Sequence, residues 1–475
     1  MTGVEIDSRR IAPGMLFLAA RGQTQHGLAH VDDALRRGAV AVAWEPMPEL
    51  AAPDLPVPAI AVEGLSMKAG EIAARYWQHP SRKLFTVGIT GTDGKTSTAH
   101  LIAQALDRLG APCAYFGTIG YGRLGALAGA SHTTPDAVRL QALLAAQRDA
   151  GATACAMEVS SHALDQGRVG GVEFDVTVLT NVGRDHLDYH GTAENYAAAK
   201  RRLFECEGLK AVVLNGDDAH GAAWAHALAA AHPVILYGFD NVPFSANIRS
   251  LRGERLELHP GGLRMNVHTS WGNARLESRL LGRFNAYNLL AALAVLLARD
   301  KRLDAAVAAL AESTTVPGRI EGFRGKRAAP LVVVDYAHTP QALAQVLDAL
   351  RAHTTGRLIC VFGCGGDRDR GKRPLMGAAA GARADALIVT DDNPRGEAPE
   401  AIVDEILAGL HFGASPRVIH DRALAIETAV REAGPDDVVL VAGKGHEDYQ
   451  IYGDERRHFS DRAFVAKLLG TEARA

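Results

Sequence analysis

The 475-residue sequence has no unbroken apolar run of the about eighteen residues that mark a membrane-spanning helix. Its start, "MTGVEIDSRR", lacks the charged-then-apolar pattern of a secretory leader. Cysteine is scarce: five residues, at 113, 155, 206, 360 and 364, with no C-x-x-C pair. That argues against a disulfide framework and for the reduced thiols of a cytoplasmic protein. Cys360 and Cys364 could form a metal pair; one strand cysteine and one loop cysteine is the plainer reading. Basic excess is also missing. The 51 Lys and Arg against 54 Asp and Glu leave a net charge of −3, whereas a nucleic-acid footprint shows as a basic domain. Internal repeats and low-complexity tracts are absent. What remains, 47% hydrophobic and 22% charged, is ordinary for a globular chain of two to four domains.

Punctuation by proline and glycine suggests three blocks. Residues 1–83 alternate short apolar runs ("GMLFLAA", "AVAVAW", "VPAIAV") with helical stretches, and "QHPSRK" (78–83) reads as a linker. Residues 84–316 open with the strand "LFTVGIT", a glycine loop and a helix from about Thr96. Further buried strands are expected at "ATACAMEV" (152–159), "FDVTVLTNV" (174–182) and "KAVVLNGDD" (210–218), and a helix at 285–300. The segment 243–280 is more β-like, an excursion from the main sheet. Residues 317–475 repeat strand–loop–helix units whose polar tails, in "DYAHTP", "GGDRDRGKRP", "DDNPRG" and "GKGHE", follow the strands. Such alternation predicts an α/β protein with parallel sheets, a central P-loop-type domain and a Rossmann-like third block. Ligands of open α/β sheets gather at the carboxyl ends of the strands.

The loop Gly91-Thr92-Asp93-Gly94-Lys95-Thr96 departs from the common G-x-x-x-x-G-K-[ST] pattern, because Ile89 stands where the first glycine belongs. Its chemistry is still that of a phosphate cradle. Gly91 and Gly94 allow backbone N–H groups to face phosphate, and the following helix adds a positive N-terminus. Lys95 can reach the β- and γ-phosphates, and the Thr96 hydroxyl can ligate Mg²⁺. Glu158 ends a buried strand, where a carboxylate is costly unless paired or metal-bound; a capping role is its plain alternative. "TNVGRDHLDYHGTAENYAAAK" (180–200) is too dense in polar groups for mere solvation after a strand, although His186 or His190 alone would read as a surface residue.

Ten segments in order, GTDGKT, TTPD (133–136), EVSSH (158–162), TNVGRDHLDYHG (180–191), LGRFNAYN (281–288), PGR (317–319), DYAHTP (335–340), GGDRDRGKRP (365–374), DNPR (392–395) and GKGHE (443–447), resemble the Mur ligases of peptidoglycan synthesis. Within that family the resemblance is to the branch that adds diaminopimelate as the third peptide residue. It implies three domains, at 1–83 for UDP, 84–316 for ATP and 317–475 for the amino acid. It also implies a reaction in which ATP phosphorylates a carboxylate of a UDP-linked peptide and an amine displaces the phosphate. Lysine-adding, D-Ala-D-Ala-adding and folylpolyglutamate-type ligases are the neighbouring alternatives, and an ATP-sensing P-loop module is the alternative outside the family.

By the same resemblance, Gly91, Thr92, Asp93, Gly94, Lys95, Thr96 and Ser97 would hold ATP, with Asn285 and Asn288 at the adenine and Arg319 and Asp335 at the ribose and phosphates, so that ATP draws on the second and third domains. His338 is a neighbouring candidate that orients the DYAHTP loop. Thr96, Glu158, His186 and Lys200 would hold magnesium, Lys200 as a carbamate. Alone, Lys200 in "AAAKRR" reads as an exposed helix lysine. Lys95, Glu158, His186 and Lys200 are thus the implied catalytic set. Ile6, Ser8, Gln23, Thr24 and Gln25 would meet the uracil side of UDP-N-acetylmuramoyl-L-alanyl-D-glutamate. Thr133, Thr134, Ser160, Gln166 and Arg168 would meet its sugar, diphosphate and peptide. Arg368, Asp392, Asn393, Pro394, Arg395, Gly443 and Glu447 would form the pocket for meso-diaminopimelate, an arginine fork holding its distal carboxylate. The family more often has asparagine at position 93, and the Asp93 side chain is expected to cap the loop. The family also carries a helical stretch before D-S-R that this sequence lacks, so either the start codon is assigned late or the uracil pocket lacks a wall. A monomer is the default expectation.

Overall fold

The computed structural model describes residues 1–22, 24–130, 132–243, 248–325, 329–411 and 416–471. They fall into two compact units. One holds residues 1–254, 267–274 and 287–310; the other holds 255–266, 275–286 and 311–475. No helix among the described residues is long and apolar enough to cross a membrane.

The first unit begins with a parallel sheet of β1 (Gly3–Glu5), β2 (Met15–Ala19), β3 (Ala41–Trp44) and β4 (Ala59–Ala61), in that order. Strand alternation sends Phe17, Ala19, Val42 and Trp44 to the face with α1 (Val31–Arg36), and Val4, Leu18 and Ala43 to the face with α2 (Leu65–Tyr76). Within the expected linker at 78–83, Pro80–Lys83 form a 3₁₀ turn, with Pro80 and Ser81 buried and Gln78 and His79 in left-handed conformations.

The large sheet is built on β5 (Phe85–Thr90), followed by α3 (Lys95–Arg108), β6 (Cys113–Gly117), β7 (Gly120–Arg123), β8 (Ala126–Ala128), α4 (Ala137–Asp149), β9 (Ala154–Glu158), α5 (Ser161–Asp165), β10 (Val176–Leu179), α6 (Leu187–His190), α7 (Ala193–Arg201), β11 (Ala211–Asn215), α8 (Ala219–Leu228), β12 (Val234–Gly238), β13 (Arg249–His259), β14 (Gly262–Thr269) and β15 (Gly272–Ser278). Its strand order is β15-β14-β13-β12-β11-β10-β5-β9-β6-β7-β8. From β12 through β6 neighbours run parallel, so β5 lies between β10 and β9. Every residue of β5 is buried, as a strand covered on both faces requires. The β-like segment after residue 243 becomes β13 to β15 at the end of this sheet, and α9 (Arg283–Ala298) and α10 (Leu303–Ala311) follow.

The second unit carries a six-stranded sheet. Its elements are β16 (Glu321–Arg324), β17 (Leu331–Asp335), α11 (Pro340–Arg351), β18 (Leu358–Phe362), α12 (Lys372–Gly381), β19 (Ala386–Val389), α13 (Pro399–Leu407), β20 (Arg417–Val418), α14 (Arg422–Glu432) and β21 (Val438–Ala442). A hairpin, β22 (Tyr449–Tyr452) and β23 (Glu455–His458), and α15 (Asp461–Leu469) end it. The order is β16-β17-β21-β18-β19-β20, with only β16 antiparallel. Val333, Cys360, Phe362 and Leu440 face a core with Leu343, Leu347, Met376 and Ile402, while Val332, Val361, Val439 and Val441 face Ile426 and Val465. Two helical layers on one parallel sheet is the doubly wound architecture the alternation predicted. Cys360 lies in β18, and the Cys364 thiol contacts Met376 sulfur at 3.5 Å. Both thiols are buried, which pushes them up to about 12.

Candidate active site

Three adjacent strands deliver polar residues to one point of the first unit: the 91–96 loop after β5, Glu158 at the end of β9, and Thr180-Asn181 after β10. Gly91 and Gly94 both take positive φ, 153° and 81°, and a Cβ on Gly91 would come within 1.8 Å of the Thr180 hydroxyl. Only glycine fits there. The loop is clamped from β10. Thr180 Oγ1 donates to the Asp93 carbonyl at 2.6 Å, and Asn181 both accepts from the Asp93 N–H at 3.0 Å and donates to its carbonyl at 3.2 Å. These two residues do the capping expected of Asp93, whose own side chain is exposed. Below the loop, Asn288 accepts from Thr98 Oγ1 at 3.1 Å and leaves no room for a side chain at Gly94. Asn288 thus braces the loop. Ser97 lies in the first turn of α3.

Glu158 is almost wholly buried, and both of its oxygens accept hydrogen bonds. Oε1 takes the Tyr115 hydroxyl and the Thr118 N–H at 2.8 Å; Oε2 takes the Thr96 hydroxyl at 2.8 Å and the Thr118 hydroxyl at 3.3 Å. Four donors offset the cost of burying the charge. Burial together with this carboxylate pushes the Tyr115 phenol up, so it remains a donor. Gly117 makes the approach possible, since a Cβ there would meet Glu158 Oε1 at 2.0 Å.

Lys200 is not an exposed helix lysine. It is 1% exposed, and its Nζ donates to the Gly91 carbonyl at 2.8 Å. Lys95 Nζ donates to the same carbonyl at 2.8 Å and to the Thr92 carbonyl at 2.7 Å. Burial, then the Lys95 charge, brings Lys200 down to about 7, against the weaker opposing pull of Asp185 and Asp93. Burial lowers Lys95 as well, opposed by Glu158, Asp93 and Asp185. Two amines on one carbonyl oxygen favour one of them being neutral. Tyr196 joins the two parts of the site: its ring lies 4.2 Å from Lys200 Nζ and its hydroxyl is 3.1 Å from Thr92 Oγ1.

His186 is exposed, takes a left-handed φ of 50°, and is oriented by Asp185 at 3.3 Å. It belongs to a group of rings with His162 at 4.7 Å and Tyr196 at 6.3 Å. His162 in turn meets Tyr189 at 4.2 Å and His190 at 5.5 Å. Burial, then the neighbouring His186 and His190, lowers the basicity of His162. Among the described residues no three His, Cys, Asp or Glu side chains converge as a ready metal cluster. A set that includes a hydroxyl and a modified lysine is of a different kind.

The residues assigned to the UDP-linked substrate occupy two places in this unit. Arg168 donates to Gln166 Oε1 at 2.6 and 2.9 Å and to the Thr134 carbonyl at 3.1 Å. Thr134 Oγ1 donates to the Glu158 carbonyl at 2.9 Å. Thr133 meets Thr118 at 3.1 Å, and Ser160 caps α5. Thr134 and Thr133 thus sit against Glu158 and Thr118, and Arg168 and Gln166 against Thr134 and Tyr189. Ile6 and the buried Ser8 stand after β1, beside Glu5, whose carboxyl is raised by burial. Thr24 and Gln25 are exposed; Gln23 lies outside the described residues.

In the second unit Asp335, Arg368, residues 392–395, Gly443 and Glu447 follow the carboxyl ends of neighbouring strands, while Arg319 precedes β16 and Asn285 lies in α9. Asp335 ends β17 and accepts the Ile320 and Ala337 N–H groups, each at 2.7 Å, while burial pushes its carboxyl up. Arg319 stacks on Tyr336 at 5.1 Å, and His338 bonds the Tyr336 carbonyl at 2.9 Å. Asn285 donates to the Leu281 carbonyl at 2.8 Å, holding the start of α9. Asn393 Nδ2 donates to Glu447 Oε2 at 3.3 Å, and a Cβ on Gly443 would meet Asp392 Oδ2 at 2.6 Å. Arg395 adopts φ 52° and donates to the Gly366 carbonyl at 2.8 Å, and the Pro394 carbonyl occupies the space a Cβ on Gly366 would need. Arg368 is exposed and donates to the Asp367 carbonyl at 3.2 Å. Asp392, Asn393, Pro394, Arg395, Gly443 and Glu447 are brought together.

Three domain families cover this chain in order. The Mur ligase family catalytic domain matches residues 1–77, the Mur ligase middle domain 89–296, and the Mur ligase glutamate ligase domain 318–445. The chain belongs to the Mur ligase family. A relative from Alkalilimnicola ehrlichii, UDP-N-acetylmuramoyl-L-alanyl-D-glutamate--2,6-diaminopimelate ligase, is 50% identical over 99% of this chain and 95% of its own length. A solved structure of a ligase of that name is 38% identical, with a TM-score of 0.79 over 98% of this chain and 94% of the other. A Thermotoga maritima MurF ligase solved in complex with ADP has a TM-score of 0.60 over 93% of each chain at 19% identity, a likeness of fold.

Several residues of this Mur ligase site escape sequence reasoning. Tyr115 and Thr118 lie outside every recognised motif. Asn181, Tyr196 and Lys444 lie within or beside such motifs, but nothing in the sequence tells that they are turned inward. Lys444 is fully buried and bonds Asn393 Oδ1 at 3.2 Å and Glu447 Oε2 at 3.1 Å.

Proposed function

We infer that this Mur ligase joins meso-2,6-diaminopimelate to the D-glutamate γ-carboxylate of UDP-N-acetylmuramoyl-L-alanyl-D-glutamate, with ATP converted to ADP and phosphate. The reaction serves the making of peptidoglycan precursors. The observation that carries the reading is the 50% identity to a diaminopimelate ligase along nearly the whole of both chains. A carboxylate repels nucleophiles and has no good leaving group; phosphorylation removes both obstacles. Catalysis of that step is positioning plus neutralisation of charge on the transferred group. The 91–96 loop, held by Thr180, Asn181 and Asn288, positions the triphosphate, and Lys95 supplies positive charge. Residues 1–83 take the UDP end, 84–316 the phosphates and 317–475 the amino acid. Asn285 and Asn288 take the adenine, and Arg319 and Asp335 the ribose and phosphates.

The donors near the loop suit a hard dication. Thr96 and Glu158 offer oxygens 2.8 Å apart, and Mg²⁺ prefers a few protein oxygens completed by phosphate and water. Thr96, Glu158, His186 and a carbamylated Lys200 would hold it, and when bound it would neutralise phosphate charge. A lysine brought down to about 7 is about half free amine at neutral pH, the form that attacks CO₂. The enzyme works as a monomer in the cytoplasm on this reading.

The test is product mass. Incubation with ATP, Mg²⁺, UDP-linked dipeptide and diaminopimelate should give the peptide extended by one diaminopimelate residue, and lysine should give almost none. Arg395→Ala should lower diaminopimelate use by about 100-fold while leaving ATP affinity unchanged, because a forked charge-assisted contact is lost. A variant with full activity would remove Arg395 from the pocket. Extension by lysine alone would move the chain to the lysine-adding branch.

A further inference from the structure

Lys444 is a lysine with no exposed surface, in a loop whose neighbours are assigned to the amino acid. Burying an ammonium is costly unless its bonds are met inside the protein. Its partners all come from the pocket. Nζ donates to Asn393 Oδ1 at 3.2 Å and to Glu447 Oε2 at 3.1 Å, and lies 5.3 Å from the Tyr449 ring. Asn393 Oδ1 also accepts the Ile451 N–H at 3.1 Å, while its Nδ2 donates to Glu447 Oε2 at 3.3 Å. The amide of Asn393 is thereby fixed in one orientation. Glu447 Oε2 is engaged twice, and Oε1 is the oxygen these contacts leave for a ligand. Gly443 and Gly445, with φ 115° and 52°, shape the backbone on either side. Asp392 is buried, which pushes its carboxyl up; Lys444 is the strongest of the influences opposing that rise.

We propose that Lys444 is a specificity-determining positioning residue, which orients Asn393 and Glu447 and sets one buried cation against the acidic Asp392–Glu447 pair. The proposal rests on the reading of residues 392–447 as the amino-acid pocket. The cation matches the pair to one ammonium at the distal end of diaminopimelate and lets it tolerate the carboxylate beside it. Without Lys444, two carboxylates would face that end. They would repel the distal carboxylate and favour an amino acid whose side chain carries only an ammonium, such as lysine.

The experiment compares amide formation with diaminopimelate and with lysine in the full-length wild type and in Lys444→Met, both checked by thermal melting. The wild type must first show preference for diaminopimelate; absence of that preference refutes the pocket reading itself. In Lys444→Met, KM for diaminopimelate should rise about ten-fold or more. The diaminopimelate-to-lysine ratio of kcat/KM should fall by about ten-fold, and KM for ATP should stay within about two-fold, since charge-assisted contacts to one substrate alone are disturbed. A folded Lys444→Met with wild-type KM for diaminopimelate and a wild-type ratio overturns the proposal. If Lys444→Met does not fold, Lys444→Arg decides. It keeps the cation and should hold the ratio within about three-fold, while a folded Lys444→Arg with a collapsed ratio overturns the role of charge.

Discussion

Lys200 shows how strongly a single side chain's meaning depends on its surroundings. In "AAAKRR" it reads as a solvated helix residue, yet it lies buried against the Gly91 carbonyl. Its pKa, about 7 in the fold against an ordinary 10.5, has a consequence for stability. Between those values the unfolded chain binds more protons than the folded one, so stability rises with pH across that window. The burden is full below about pH 7 and gone near 10.5. Lys200→Met should therefore melt at a higher temperature than the wild type at about pH 6, with the gain vanishing near pH 10.5, as read by paired thermal melts. Lys200→Ala should be nearly inactive though folded, and formate or acetate at millimolar level should restore part of the activity by supplying an oxygen ligand. Full activity in Lys200→Arg would refute the carbamate, because arginine brings a cation where an anion is needed.

At the level of elements, strands were legible where a short apolar run met a polar tail. The expected runs at 152–159, 174–182 and 210–218 became β9, β10 and β11, because strands covered on both faces are written as unbroken apolar residues. Contacts across the sheet were not legible. Asn181 clamps Asp93 from 88 residues away, and Tyr115 reaches Glu158 across 43; local pattern carries no information about such pairs. The same holds for close backbone approaches. Gly70, in α2, looks like an ordinary helix residue, yet a Cβ there would lie 2.1 Å from the Gly170 carbonyl, in the turn that follows Gln166 and Arg168. Since the obstacle is backbone, it cannot rotate away. Gly70→Ala should destabilise the first unit by about 1–3 kcal/mol, the cost of forcing apart packed elements, and should raise KM for the UDP-linked substrate more than for ATP. Denaturant melts and steady-state kinetics check this; a variant as stable as the wild type would show that α2 can shift freely.

For the whole molecule, the order of motifs along the chain was the most informative property, since ten segments in one sequence order constrain fold and chemistry together. The residues that hold those motifs in place, Thr118, Tyr196 and Lys444, became visible only once the sheets had assembled. The division of labour follows from this architecture. The 91–96 loop belongs to the large sheet and the proposed amino-acid pocket to the six-stranded one, each at the carboxyl ends of parallel strands. A ligase so built should release phosphate only when both acceptor substrates are bound, whereas an ATP-sensing module would hydrolyse ATP alone. The most direct measurement is phosphate release by the wild-type protein with ATP and Mg²⁺, omitting in turn the UDP-linked dipeptide and diaminopimelate. Sustained release with both present, and near-background release when either is left out, is the expected result; equal turnover with ATP alone would contradict the ligase account.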